Sequence, residues 1–207
     1  MLFMENTPKS AGVILWGDTI TLQSIHELSH KLWQSSVIAD EDLRECLMSF
    51  SYDVRKCYEN KRESNKLIDF HNQHIPIYGV HINWIDLLLD ISFMRFCMAY
   101  VDTSKKEQSY MYLLEYYLES CLHKVFPKTS VDILASMQSL PYLNSSIIPE
   151  ILPSRVNYFL KLNNKTKRTS ALLRTIQSFS PYFSDRTVNF EEYEPSVFEL
   201  DLETIHW

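Results

Sequence analysis

The stretch from Ile82 to Val101, INWIDLLLDISFMRFCMAYV, is the longest apolar run in the chain and constrains the fold more than any other. Three charges, Asp86, Asp90 and Arg95, interrupt it. A membrane span with charges near its middle is expensive, so the run reads as a helix buried inside the protein. A helix that is apolar almost all round needs cover on every side, and the rest of the chain has to supply it. With 207 residues, 45% hydrophobic and 13% aromatic, one domain, or a domain with a sizeable extension, can do so. Asn83 is placed to cap this helix, which the pattern extends from Trp84 to Tyr100. The two aspartates lie one turn apart. They border solvent or pair with Arg95 or Arg55; the sharper alternative makes them a polar site at the end of a groove.

The flanking patterns define that cover. Leu2-Phe3-Met4 and Val13-Ile14-Leu15-Trp16 read as the strands of a hairpin, joined through Asn6 to Ser10 and released by Gly12. Asp18, Thr19 or Thr21 caps a helix running to about Gln34. A second helix starts near Asp40-Glu41-Asp42, whose acids suit a helix N-terminus, and carries the stripe Leu43, Leu47, Phe50, Val54 and Tyr58. The β-rich segment Ile75 to Ile82 is a third strand. Tyr110, Leu113, Leu114, Tyr117, Leu118, Cys121, Leu122 and Val125 keep the helical period throughout. After Phe126, Pro141, Pro149 and Pro153 cut the chain into pieces, with short helices near 131–139, 154–162 and 169–179. Val197 to Thr204 alternates apolar and acidic residues as a half-buried strand does.

The predicted architecture is therefore α+β. A small antiparallel sheet, the N-terminal hairpin plus one or two further strands, packs against a mainly helical bundle. A core domain covers 1–126 and a helical extension covers 127–207, with a basic segment at 151–184 and an acidic, hydrophobic tail at 185–207.

Several function classes find no support. Three glycines, with neither G-x-G-x-x-G nor a P-loop, leave little room for a phosphate-cradling loop. No Ser or Cys stands in a G-x-S-x-G setting. Cys46, Cys57, Cys97 and Cys121 contain no C-x-x-C pair and fall in predicted helices, so they read as small buried hydrophobes in a reducing cytoplasm. The opening MLFMENTPKSAG lacks a basic segment followed by an apolar one, so the expected location is cytoplasmic, with no membrane partner.

One motif points to chemistry. His26-Glu27-Leu28-Ser29-His30 spells H-E-x-x-H, which in zinc peptidases puts two imidazoles one turn apart beside a glutamate that activates water. His26 and His30 would be the metal ligands and Glu27 the general base. A third ligand is needed, and the extended H-E-x-x-H-x-x-G-x-x-H form is absent, because Trp33 and Gln34 occupy the positions that follow. Glu45, Glu59, Glu63, Asp86, Asp90, Glu115 and Glu119 are candidate donors without a supporting phrase. The plainer reading is an amphipathic helix with two boundary histidines.

Charge organises the last third. Residues 1–150 carry a net −6, residues 151–184 a net +6, and residues 185–207 a net −6. Lys161, Lys165, Lys167, Arg168 and Arg174 in the basic segment could attract phosphate, with Tyr158, Phe159 and Phe179 near enough in sequence to stack on bases. Yet the chain is acidic overall, at −6, and nucleic-acid binders are usually basic. In the tail, Phe198, Leu200, Leu202, Ile205 and Trp207 are large apolar groups that need burial, either on this chain's own sheet or on a partner's sheet edge.

Asn6-Thr7-Pro8, Gly12-Val13-Ile14, Gly17-Asp18, Tyr52-Asp53-Val54-Arg55 and the run Tyr78 to Trp84 together resemble the phrases of an uncharacterised bacterial domain-of-unknown-function family over roughly residues 1–100. The resemblance implies a small bacterial cytosolic α+β domain without assigned chemistry. The expectation for function is a non-enzymatic accessory subunit of a larger assembly, for instance an operon-encoded component of a defence system, with another protein as its partner and no cofactor. A zinc-dependent hydrolase built on His26, Glu27 and His30 is the alternative. A nucleic-acid-associated subunit using the basic segment is the second.

Overall fold

The computed structural model describes the chain except for residues 36, 37, 39, 69–71, 144, 145, 184–186, 199–204 and 206. Among the described residues it contains four strands and seven α-helices, with two short 3-10 turns at Leu140–Tyr142 and Phe190–Tyr193, so the fold is α+β. The strands are β1 (Leu2–Asn6), β2 (Gly12–Gly17), β3 (Glu63–Ile68) and β4 (His74–Asn83). They form one antiparallel sheet in the order β1-β2-β4-β3. The helices are α1 (Thr19–Gln34), α2 (Glu41–Tyr58), α3 (Trp84–Cys97), α4 (Lys105–Val125), α5 (Ser130–Ser139), α6 (Ile147–Lys161) and α7 (Lys165–Gln177). Among the described residues no helix is long and apolar enough to cross a membrane.

The apolar run does what its composition requires. It forms α3, whose Trp84, Ile85, Leu87, Leu88, Ile91 and Met94 are fully buried. Every other helix, together with β2 and β4, lies against it. One continuous hydrophobic cluster joins the sheet, α1 to α4 and the later helices through Ile133, Met137, Ile148, Phe159, Leu172 and Ile176. Ser92, inside that cluster, donates its hydroxyl to the Met137 carbonyl on α5 at 2.7 Å.

The helix starts follow local chemistry. Asp18, Asp40, Asn83 and Asn164 each accept the backbone N–H three residues on, the arrangement that satisfies an orphan donor at a helix start. Ser104 and Glu107 complete a reciprocal capping box on α4. β3 is an addition to the sequence reading: its residues are polar and largely exposed, so no alternation announced it. α6 is longer than the prolines implied. It begins at Ile147 and runs through Pro153, although proline removes a helix hydrogen bond. The predicted strand over Val197 to Thr204 falls on residues 199–204, outside the described residues.

Two close approaches tie the sheet together. A Cβ on Gly12 would lie 1.9 Å from the Ile82 carbonyl oxygen, and one on Gly79 would lie 2.6 Å from the Trp16 ring. Glycine at these places lets β2 meet β4 and lets Trp16 lie across β4. β4 passes into α3 with no intervening loop, Asn83 being at once the last strand residue and the helix cap. The first two turns of α3 are therefore fixed at the end of the sheet.

Candidate functional site

A large recess opens where β4 becomes α3. It is a cleft of about 940 Å³ walled by α2, β4 and α6 and bordered by the tail residues Ile205 and Trp207. Each wall follows from helical spacing. Cys46, Phe50 and Asp53 lie on one face of α2, and Leu152, Val156 and Leu160 on one face of α6. Val80 and Ile82 contribute apolar surface from β4. Asp86 and Asp90, one turn apart on α3, join Ser49, Asp53, His81 and Asn157 in the polar part of the lining.

The electrostatics of that pair are dominated by burial. Asp86 is half-buried and Asp90 only 3% exposed. Asn83 donates its side-chain amide to Asp86 Oδ2 at 2.5 Å, while Asn83 Oδ1 accepts the Asp86 backbone N–H at 3.0 Å. Burial raises the Asp86 carboxyl to about 6, against the opposing hydrogen bond from Asn83. Burial also holds the Asp90 carboxyl well above the usual carboxylate range, with the neighbouring charges of Asp86 and Asp53 adding to the effect.

Nearby arginines are engaged elsewhere. Arg62 reaches Asp53 at 2.5 Å on the exposed side of the cleft. Arg95 donates to Glu115 from α4, its Nε at 2.6 Å, and Arg55 pairs with Glu59. Among the described residues the aspartates therefore pair with neither Arg95 nor Arg55, and both carboxyls line the cleft.

The other groups around the cleft are neutral or paired. Burial lowers the His81 imidazole, opposed by Glu63, whose Oε1 is 3.8 Å from Nε2. His81 also meets Trp207 edge to face, with ring centroids 4.8 Å apart. The Cys46 thiol is raised by burial and further by Asp86, Asp42, Asp90 and Glu45, so it stays protonated and weakly nucleophilic.

The H-E-x-x-H residues lie on α1. His26 and His30 are half-buried neighbours with centroids 5.9 Å apart, and Glu27 is exposed. The partner of His26 is Tyr58 on α2, whose hydroxyl lies 3.3 Å from Nδ1. Between the histidines, Ser29 is fully buried and its hydroxyl meets that of Ser51 at 2.7 Å, joining α1 to α2. Burial lowers the His26 imidazole, with His30 and Arg55 acting in the same direction. Among the described residues no group of three or more His, Cys, Asp or Glu is placed to hold a metal ion.

The basic segment divides. Lys161, Lys165 and Lys167 are exposed and Arg174 is half-buried, but Arg168 is fully buried. Its guanidinium donates to the carbonyl of Leu160 at 3.0 Å and to that of Lys9, in the β1–β2 turn, at 3.2 Å. Arg168 is therefore an internal strut, its guanidinium turned to two backbone carbonyls rather than to solvent. Lys161 lies over the Tyr193 and Phe198 rings, 5.0 and 4.8 Å from their centroids.

In the tail, Phe198 also contacts Tyr193, and Ile205 and Trp207 pack on the core of this same chain. The Lys9 N–H donates to the Trp207 carbonyl at 3.2 Å. Leu200 and Leu202 lie outside the described residues.

The chain belongs to the family described as a domain of unknown function (DUF6904), whose family model matches residues 2–193. That match takes in α5 to α7 as well as the first hundred residues. No curated protein and no solved structure matches the chain.

Proposed function

We propose that this member of the family works by binding, as an accessory subunit that holds a segment of a partner protein in the β4–α3 cleft. The observation that carries the reading is the cleft itself. Its volume, about 940 Å³, is that of a ligand site, and apolar walls with a few convergent polar groups are the usual composition of one. The chemistry of its lining favours holding over reacting. Cys46 is kept as a thiol, and Asp53 is paired with Arg62. Cys46, Cys57, Cys97 and Cys121 are all free thiols, which suits a reducing compartment and hence the cytoplasm.

The test is recovery of the assembly from native lysate. Wild-type chain should co-purify one partner in stable proportion, and Val156→Asp should lose it while keeping the wild-type circular dichroism spectrum. Val156 is a half-buried wall residue of the cleft at the margin of the core, so a charge there blocks entry, and the dichroism spectrum checks that the fold is kept. A folded Val156→Asp variant that retains the partner in full would remove the cleft from the interaction.

A further inference from the structure

The polar lining of the cleft holds two carboxyls, Asp86 and Asp90, that meet no cation among the described residues. Asp90 is 3% exposed and lines the cleft, and among the described residues it accepts no hydrogen bond and meets no cation. Among the described residues Asp86 is held by Asn83 alone. From α2, Asp53 adds negative field and Cys46 is a neutral thiol. Just before β3, Arg62 is taken by Asp53, and Glu63 at the start of β3 is exposed. From β4, His81 is biased toward its neutral form, and α6 presents the uncharged Asn157. A buried carboxyl without donors is costly, and Asp90, one turn from the Asn83-held Asp86, offers acceptors to a hydrogen-bond donor that carries positive charge.

We propose that the cleft takes up a primary ammonium group, the side chain of a lysine borne by the partner protein, whose ammonium donates to Asp86 and Asp90 while its methylene stem lies along Phe50, Val80 and Val156. The inference rests on the binding role proposed above and names the chemistry of the bound segment. Side chains at i and i+4 stand about 5–6 Å apart at Cβ, a span that one tetrahedral ammonium with three donors bridges. A planar guanidinium instead matches the two oxygens of a single carboxylate. A divalent ion needs several oxygen ligands, and among the described residues no such group converges. Phosphate-bearing ligands are repelled by the pair. The apolar walls suit an aliphatic stem, which buries its methylenes while its head keeps polar partners. Because burial holds both carboxyls protonated above the normal range, a bound ammonium draws them back to carboxylates. Binding therefore releases protons and tightens from pH 5 to pH 7.5.

The test uses the full chain and NMR titration with Ac-Ala-Ala-Lys-Ala-Ala-NH2, beside peptides with norleucine or arginine at the central position, n-butylamine, and magnesium chloride. The expected result is saturable binding of the lysine peptide with shifts at Gly79 to Asp90. It should weaken at least tenfold in Asp90→Asn and in Asp86→Asn, and be absent for norleucine. Equal binding of norleucine, equal binding of arginine, or an undiminished lysine titration in folded Asp90→Asn would each overturn the proposal. Butylamine binding as tightly as the peptide would make the ligand a free amine and overturn the protein source. Asp90-dependent binding of magnesium alone would make the site a metal site. Retention of the native partner by Asp90→Asn, with loss in Val156→Asp, would sink the lysine while leaving the binding role standing. Retention by both would sink both.

Discussion

Asp90 shows how a single residue sets the pH response of the molecule. A carboxyl whose pKa is raised by folding binds more protons folded than unfolded, so its contribution is fullest below about pH 4 and is lost as pH climbs through the folded value. For Asp86 that upper value is about 6, and Asp90, also raised by burial, adds to the loss. The unliganded protein should therefore melt higher at pH 5 than at pH 7.5. Asp90→Asn removes the buried charge and should raise stability at pH 7.5 by about 1–3 kcal/mol while flattening the slope, as followed by thermal unfolding at both pH values. An unchanged slope would mean that the carboxylate is solvated. Arg168 sits at the opposite extreme, a buried cation that holds two carbonyls. Arg168→Met keeps the volume but orphans those acceptors, and should cost about 2–4 kcal/mol in urea denaturation. Lys165→Met, on an exposed residue, should change stability by less than about 0.5 kcal/mol.

Whole elements show what a linear pattern reveals and what it hides. The α1–α2 pair is joined at the centre of the H-E-x-x-H motif by the Ser29–Ser51 contact. Ser29→Ala alone should cost about 1–2 kcal/mol by stranding Ser51, whereas the double alanine variant should recover most of that loss in a double-mutant cycle. Chain purified without a histidine tag should carry far less than one equivalent of zinc, no more than its His30→Ala counterpart. Near-stoichiometric zinc lost in that variant would restore the metallopeptidase reading. In the sheet, Gly12→Ala sets a methyl group against the Ile82 carbonyl and should destabilise by about 2 kcal/mol or more.

Helix starts and the buried character of α3 were legible in the chain because Asp18, Asp40, Asn83 and a long apolar run with only three charges in it act locally. β3 was not, because an exposed edge strand needs no apolar face and ESNKLI has little of one. The cleft was half legible. The spacing of Asp86 and Asp90 offered a polar site only as the sharper alternative to solvent or an arginine partner, because whether Arg95 serves Asp90 or Glu115 depends on how α4 docks, and no periodicity encodes that. His81 and Trp207 meet across more than a hundred residues of sequence, a pairing that only the folded chain discloses.

At the scale of the whole molecule, α3 is shared by both halves of the chain, and its far side is covered by α5 to α7. Unfolding should accordingly be a single transition, with tryptophan fluorescence and far-ultraviolet circular dichroism superimposing. The fragment 1–126 would leave that side of α3 uncovered. It should keep helical dichroism but bind hydrophobic dyes and lose near-ultraviolet signal; a native-like fragment would make the later helices an independent extension. The direct passage of β4 into α3 also bears on how this family can diversify. Substitutions on α2 or α6 can reshape the walls one residue at a time. A single residue inserted after Asn83 would swing both carboxylates by about 100° around the helix axis and carry them off the cleft. Lineages can therefore drift in what surrounds the bound group far more freely than in where its charge is met.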